Sequence, residues 1–141
     1  NLQSVRFALV CASNQNRSME AHSRLLKNGF NVCSYGTGAH VKLPGPARDK
    51  PNIFSFGTPY KQIYEELKEQ NYNLYVSSFI CSLKLTIHRD YRYKQNGVLN
   101  MLERNMKVKN APEQWQQELT KKFHVVVTFE KRVYDTVYEG L

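Results

Sequence analysis

An α/β fold with a three-layer, flavodoxin-like parallel sheet is what this chain predicts, on three observations. A short apolar run at residues 5–10 leads straight through a polar turn into a stretch of helical spacing. A second apolar run follows at 31–35, and a third at 123–129 has the near-continuous Val and Phe content of a strand buried on both faces. Strand, helix and strand within about 30 residues make a βαβ unit, whose right-handed crossover lays the strands parallel. The strand order is then 2-1-3, which puts the turn after strand one at the carboxyl edge of the sheet, where ligands bind such folds. At 141 residues a single domain over 1–141 is expected.

Each element has its own justification. Residues 18–28 carry Ala21 and Leu25 four apart with Leu26 beside them, and Gly29 is placed to stop that helix. The Gly- and Pro-rich stretch 36–58, with Leu43-Pro44-Gly45-Pro46 inside it, reads as a stiff loop rather than an element. Thr58 and Pro59 cap and start a helix whose apolar positions Tyr60, Ile63, Tyr64 and Leu67 recur at helical spacing. A further helix over 95–106 carries Val98, Leu99, Leu102 and Met106 on one face. Pro112 opens a helical turn through Trp115, and a last helix runs over 130–138.

The formal charge of +8 suits an anionic partner, yet no five or six basic residues cluster, so charge alone does not choose that partner. Cys11, Cys33 and Cys81 are an odd number without a CxxC spacing, which disfavours a disulfide framework or a structural zinc. One reactive thiol and two bystanders is the simpler reading, with a redox pairing of Cys33 to Cys11 as the minor one. No cofactor and no metal is expected. Tyr60, Tyr64 and Trp115 read as core anchors rather than stacking platforms, since basic residues do not interleave with them; direct nucleic-acid binding is not expected. No apolar run is long enough for a membrane span and no leader is visible, so a soluble intracellular protein without membrane attachment is the expectation.

The chemistry resides between strand one and helix one. Cys11-Ala12-Ser13-Asn14-Gln15-Asn16-Arg17-Ser18 separates a cysteine from an arginine by five residues and ends in serine, the spacing of the phosphate loop of cysteine phosphatases. Wrapped around an oxyanion, residues Ala12, Ser13, Asn14, Gln15, Asn16 and Arg17 can turn backbone N–H groups inward, and the following helix adds its positive end. Arg17 can clamp two phosphate oxygens with its planar fork. The same field favours a thiolate at Cys11, able to attack phosphorus and form a phosphocysteine. Ser18 can donate its hydroxyl to that sulfur, and Asn14 can brace the loop by hydrogen bonds to neighbouring backbone groups. A buried strand-end cysteine and a solvated arginine would match the spacing by chance. The flanking strand and helix, the following serine and the asparagine at the fourth place argue against that.

The match extends further. Residues 11–22, Cys-Ala-Ser-Asn-Gln-Asn-Arg-Ser-Met-Glu-Ala-His, resemble nearly letter for letter the signature of the Ssu-seventy-two family of RNA polymerase II C-terminal-domain phosphatases. The similarity continues through Tyr35-Gly36-Thr37-Gly38, His40 to Pro46, Asp49 to Asn52, Asn96 to Leu99 with Met101-Leu102, and Thr128 to Asp135. The resemblance implies a protein serine phosphatase acting on the polymerase heptad repeat, at a phosphoserine followed by a cis proline, through a phosphocysteine intermediate. It implies work in transcription termination and mRNA processing, in the nucleus with the cytoplasm as a second location. The partners it implies are the phosphorylated polymerase C-terminal domain and a symplekin-like scaffold. Cys11 would be the nucleophile and Arg17 the clamp, with the peptide lying against Lys42, Pro44, Pro46, Tyr75, Val98 and Met101. A cis X-Pro bond is a minor conformer, so such a groove selects a population already present.

Two departures stand out. Residues 76–93 have no counterpart in the family pattern, and their composition is strand-like rather than helical. The family also runs on beyond the point matching Leu141, with an Asp-Asn-His-Glu-Glu segment that holds the general acid. The acid is therefore expected beyond Leu141, because Asp49, Asp90 and Asp135 lie in no matching motif, and the third strand is expected to be an exposed edge. His22 and His40 read as structural hydrogen-bonding residues. Two alternatives stay open: a tyrosine phosphatase or arsenate reductase on the same loop, disfavoured by the Gln15-Asn16 pair, and a non-catalytic phosphopeptide- or scaffold-binding module.

Overall fold

The structure, a computed structural model, describes residues 1–80 and 97–141, without the side chains of residues 2 and 71–80. Its central strand is β1 (Arg6–Cys11), flanked in parallel by β2 (Asn31–Gly36) and by the strand Val125–Thr128, which is β5. The register pairs Ala8 with Cys33 and Val126, and Val10 with Tyr35 and Thr128. Because side chains alternate across a strand, one face presents Ala8, Val10, Cys33, Tyr35 and Val126. That face packs on Val133 and Val137 of α4 (Lys131–Glu139), with Trp115 and Phe123 filling the side. The other face carries α1 (Arg17–Lys27), so helix, sheet and helix form three layers as expected. Gly29, at φ +79°, ends α1 in the left-handed conformation, and Phe30 N–H reaches back to Leu25 O at 3.1 Å. Val125 and Val127 lie on the α1 side of β5 and are 39% and 38% exposed, as expected of an open strand.

Residues 36–58 differ from the stiff loop that their composition predicts. They contain an antiparallel hairpin of β3 (Val41–Ala47) and β4 (Lys50–Phe54). Two-stranded pairing tolerates proline because each strand has one free edge, and the ladder shifts register between Leu43 and Ala47, where Pro44 and Pro46 sit. Gly45 is obligatory there, since a Cβ would fall on the Lys50 carbonyl. Val41 and Leu43 point inward from β3 and join Met19, Tyr60, Ile63, Leu67 and Leu102 in a second core. Tyr60, Ile63 and Leu67 belong to α2 (Tyr60–Ile80), and Leu102 to α3, described over 97–106. Met19 of α1 ties this second core to the sheet.

Three further differences are local. Helix α2 continues through residues 76–80, the start of the stretch whose composition reads as strand-like, because no glycine or proline interrupts it. Residues 81–93, with Cys81 and Asp90, lie outside the described residues. The turn near Pro112 is a 3-10 helix at Trp115–Gln117, with Pro112 in the extended approach to it. Among the described residues, no helix is long and apolar enough to cross a membrane.

Candidate active site

Cys11 is the last residue of β1, paired with Gly36 at the carboxyl edge of the sheet and only 3% exposed. From there residues 12–16 turn directly into α1, whose first residue is Arg17. The loop is held from outside by its carbonyls. Thr37 N–H donates to Cys11 O at 3.0 Å and Gly38 N–H to Ala12 O at 2.9 Å. Tyr60 Oη donates to Asn14 O at 2.7 Å, and burial pushes that phenol well above its ordinary pKa, so it stays a donor. A trans peptide unit sets its N–H opposite its C=O, and all described bonds are trans. Pulling the carbonyls of Cys11, Ala12 and Asn14 outward therefore turns the N–H groups of Ala12, Ser13 and Gln15 to the other side, an anion nest. The close approach explains two glycines: a Cβ on Gly36 would meet Ala12 O at 2.7 Å and Asn14 N at 2.9 Å, and one on Gly38 would meet Ala12 O at 3.0 Å.

Asn14 is fully buried and sits at φ +53°, the left-handed region that Asn tolerates better than most residues. Its side chain bonds not to the neighbouring backbone, as expected, but to a side chain and a distant segment of the chain: Nδ2 donates to Ser18 Oγ at 2.8 Å, and Oδ1 accepts from Glu113 N–H at 3.1 Å. Ser18 Oγ in turn lies 3.0 Å from Cys11 Sγ. The Ser18 oxygen accepts from Asn14 and its own proton is available to the sulfur, so Ser18 can donate to Cys11 Sγ when the sulfur carries no proton. Asn14→Ala is expected to cost about 3–4 kcal/mol, from left-handed strain of ~1–2 kcal/mol and two buried hydrogen bonds of ~1 kcal/mol each. Urea denaturation checks this, and Asn14→Gly, which relieves the strain, should recover about half.

Arg17 Nη1 donates to Glu130 Oε2 at 3.2 Å and to Phe129 O at 3.4 Å, just past the end of β5. The guanidinium thus stands over the loop side of the sheet, still 45% exposed. The Gln15 side chain is buried, and neither Nε2 nor Oε1 has a partner among the described protein groups. The Gln15 and Asn16 carbonyls receive side chains from α3: Asn105 Nδ2 reaches Gln15 O at 2.8 Å, and Arg104 Nη2 reaches Gln15 O at 3.0 Å and Asn16 O at 3.3 Å.

Behind the loop lies a polar network. His22 Nδ1 meets Ser34 Oγ at 2.7 Å, and Ser34 Oγ meets Met19 Sδ at 3.2 Å. Lys109 Nζ donates to Ser34 O at 2.7 Å and to Glu113 Oε2 at 2.8 Å. Burial first, and the Lys109 charge second, hold the His22 pKa down at about 4. Its proton is therefore bound more tightly by the unfolded chain. The stability contribution is fully present above about pH 6.5 and is lost as pH falls towards 4. His22→Gln should flatten the urea stability curve between pH 7 and pH 4.5, removing roughly 2–3 kcal/mol of its acid dependence.

The expected peptide-contact residues are placed unevenly. Lys42, Pro44 and Pro46 share the exposed face of β3, and Lys42 N–H touches the loop at Ser13 Oγ, 3.4 Å. Val98 and Met101 are half-buried against the second core. Tyr75 falls on the α2 backbone, and its side chain lies outside the described residues. His40 is exposed. The Cys33 to Cys11 redox pairing is excluded in this geometry: Cys33 pairs with Ala8, three positions from Cys11, or about 10 Å along the strand, beyond disulfide reach. Asp135 is bonded to Lys131 at 2.8 Å on α4, and Asp49 lies in the exposed hairpin turn. Among the described residues, no three His, Cys, Asp or Glu side chains gather as a metal site.

Sequence reasoning missed Arg104, Asn105, Lys109 and Glu113. Only Asn105 leaves a trace, as a polar residue three positions after Leu102 on an otherwise apolar helical face.

The family model described as Ssu72-like protein matches residues 5–84 and 80–141. The RNA polymerase II C-terminal domain phosphatase SSU72 of Dictyostelium discoideum is 55% identical over 137 residues, covering 96% of this chain and 56% of the relative. Its Homo sapiens counterpart is 47% identical over 137 residues, covering 97% and 61%. The chain thus spans a little over half the length of these relatives. The solved structure of Drosophila melanogaster Ssu72 with Symplekin, bound to a cis peptidomimetic phosphoserine peptide of the CTD, superposes with a TM-score of 0.77 at 43% identity, over 98% of this chain and 62% of that one. With the loop, the three-layer sheet and both halves of the family pattern in place, the chain belongs to the Ssu72-like family.

Proposed function

We propose that this chain carries the nucleophilic half of a protein serine phosphatase acting on the phosphorylated C-terminal domain of RNA polymerase II. The observation that carries the reading is the donor relay Asn14 to Ser18 to Cys11, with 2.8 Å and 3.0 Å steps, inside an anion nest. In the first step the Cys11 thiolate attacks phosphorus in line, the S–P bond forms, and the P–O bond to the serine breaks. The departing serine oxygen takes a proton from a general acid, which we place in the portion of the relatives that this chain does not span. Arg17 and the loop N–H groups hold the equatorial oxygens throughout. In the second step water attacks phosphorus and gives its proton to the group that served as general acid, left as a base by the first step, the S–P bond breaks, and the Ser18 hydroxyl stabilises the returning thiolate.

The relative solved with Symplekin and a cis phosphoserine peptidomimetic supports the same partner class here: a phosphoserine before a cis proline, a symplekin-like scaffold, and work in the nucleus. Lys42, Pro44, Pro46, Val98, Met101 and Tyr75 are the side of the site we assign to the peptide. Inorganic phosphate release from a phosphorylated heptad peptide tests the reading, using this chain alone and joined to the remaining segment of a relative. Release that rises about 100- to 10,000-fold in the joined form fits a supplied general acid. Peptide binding without release in either form would make the chain a phosphopeptide-binding module instead.

A further inference from the structure

The phosphate loop is supported on its outer side by two neighbouring residues of α3 with no place in the chemistry just described. Asn105 is fully buried, 0% exposed, and gives its Nδ2 to Gln15 O at 2.8 Å. Its Oδ1 is occupied by Arg104, which donates from Nε at 3.2 Å and from Nη2 at 3.1 Å. Arg104 Nη2 also reaches Gln15 O at 3.0 Å and Asn16 O at 3.3 Å, while Nη1 binds Glu20 Oε2 at 2.5 Å. Glu20 is held in its charged form below the usual carboxylate range by hydrogen bonds from Arg24 and Arg104. The guanidinium is thereby fixed at both ends, on α1 and on the loop.

We infer that Arg104 and Asn105 are positioning residues that set the oxyanion affinity of the site by fixing the two peptide units that follow Gln15 and Asn16. The inference deepens the phosphatase reading and rests on it. The peptide unit that carries Gln15 O also carries Asn16 N–H, and the unit that carries Asn16 O carries Arg17 N–H. The Gln15 oxygen is drawn towards α3, while the Asn16 oxygen accepts the Glu20 N–H of α1 at 2.8 Å with Arg104 as a second donor at 3.3 Å, so the Asn16 N–H depends on α3 alone and the Arg17 N–H on α1 and α3 together. A donor with a charge on it polarises a peptide unit more than a neutral one, so these two amides become the stronger donors to an anion. The fork geometry is essential, because one nitrogen of Arg104 serves two consecutive carbonyls while another holds Glu20. A lysine supplies the charge but not that fixed spacing.

The test uses the whole chain and tungstate as a non-hydrolysable probe. Tungstate is titrated while the amide proton and nitrogen shifts of residues 12–17 are followed by NMR. In the parent chain these amides should move on binding, and a parent that binds no tungstate would overturn both the phosphatase reading and this inference. Arg104→Lys and Asn105→Ala should each weaken tungstate about tenfold, with the Asn16 and Arg17 amide responses reduced most. Lys107→Ala, at an exposed position just past α3, should leave affinity and shifts unchanged. If the Asn105 variant does not fold, Arg104→Lys decides alone. Parental affinity with Lys at position 104, or affinity loss with an unaltered shift pattern at Asn16 and Arg17, would overturn the positioning role and leave the phosphatase reading intact.

Discussion

Cys11→Ser is expected to abolish phosphate release from any substrate the parent turns over, a fall of at least about 10,000-fold. A serine hydroxyl at the end of β1 is far less ionised at neutral pH than a thiol. The Ser18 hydroxyl, 3.0 Å from the sulfur at position 11, is a poor base whichever way its proton points. The variant therefore has nothing nearby to activate it. The carbonyl clamps on Cys11, Ala12 and Asn14 involve backbone and Tyr60 rather than the sulfur, so anion binding should persist within a few-fold. A phosphate-release assay beside a tungstate titration separates the two. Surviving release would place the nucleophile elsewhere, and loss of binding together with release would mean that the sulfur holds the loop.

Arg17→Lys is the second large effect, with kcat/KM expected to fall about 100- to 1,000-fold, or roughly 3–4 kcal/mol of transition-state stabilisation. The charge stays, but the planar fork that spans two equatorial oxygens is lost. The Arg17 contacts to Glu130 Oε2 at 3.2 Å and Phe129 O at 3.4 Å orient that fork from the end of β5. The Glu130→Gln variant keeps a hydrogen-bond acceptor and should lose only about five- to tenfold. Steady-state kinetics on the same phosphopeptide measures both. Equal losses in the two variants would mean that Glu130 acts on substrate directly rather than through Arg17.

The sequence carried the parallel core clearly because its signals are local and redundant: an apolar run, a cysteine-to-arginine spacing, a helix stop at Gly29. The same holds for Asn14, where a residue tolerant of positive φ stands at the one loop position that needs it. The hairpin β3–β4 was hidden because its prolines argue against pairing, and only the register shift between Leu43 and Ala47 makes room for them. The α3 contributions to the loop were hidden for a different reason. Hydrogen bonds from Arg104 and Asn105 to main-chain carbonyls some 90 positions away leave no periodicity in the chain, and the carbonyls they serve are the same for every residue type. Similarly, the Lys109–Glu113 pair at 2.8 Å reads in sequence as an ordinary i,i+4 surface pair, whereas in the fold its ammonium is nearly enclosed and turned onto Ser34 O.

The long reach of those supports bears on how the protein comes into being. Cys11 and its loop emerge from the ribosome ahead of the groups that brace them at Arg104 and Glu113, which follow 89 and 99 residues behind their partners. At ordinary synthesis rates that gap lasts about 5–20 s. During it the loop has Thr37, Gly38 and Tyr60 on its carbonyls but not yet the bonds from Arg104, Asn105 and Glu113. The hydrogen-bond frame of the loop is therefore complete only when the distant segment docks, so the order of synthesis sets when its backbone is fully held.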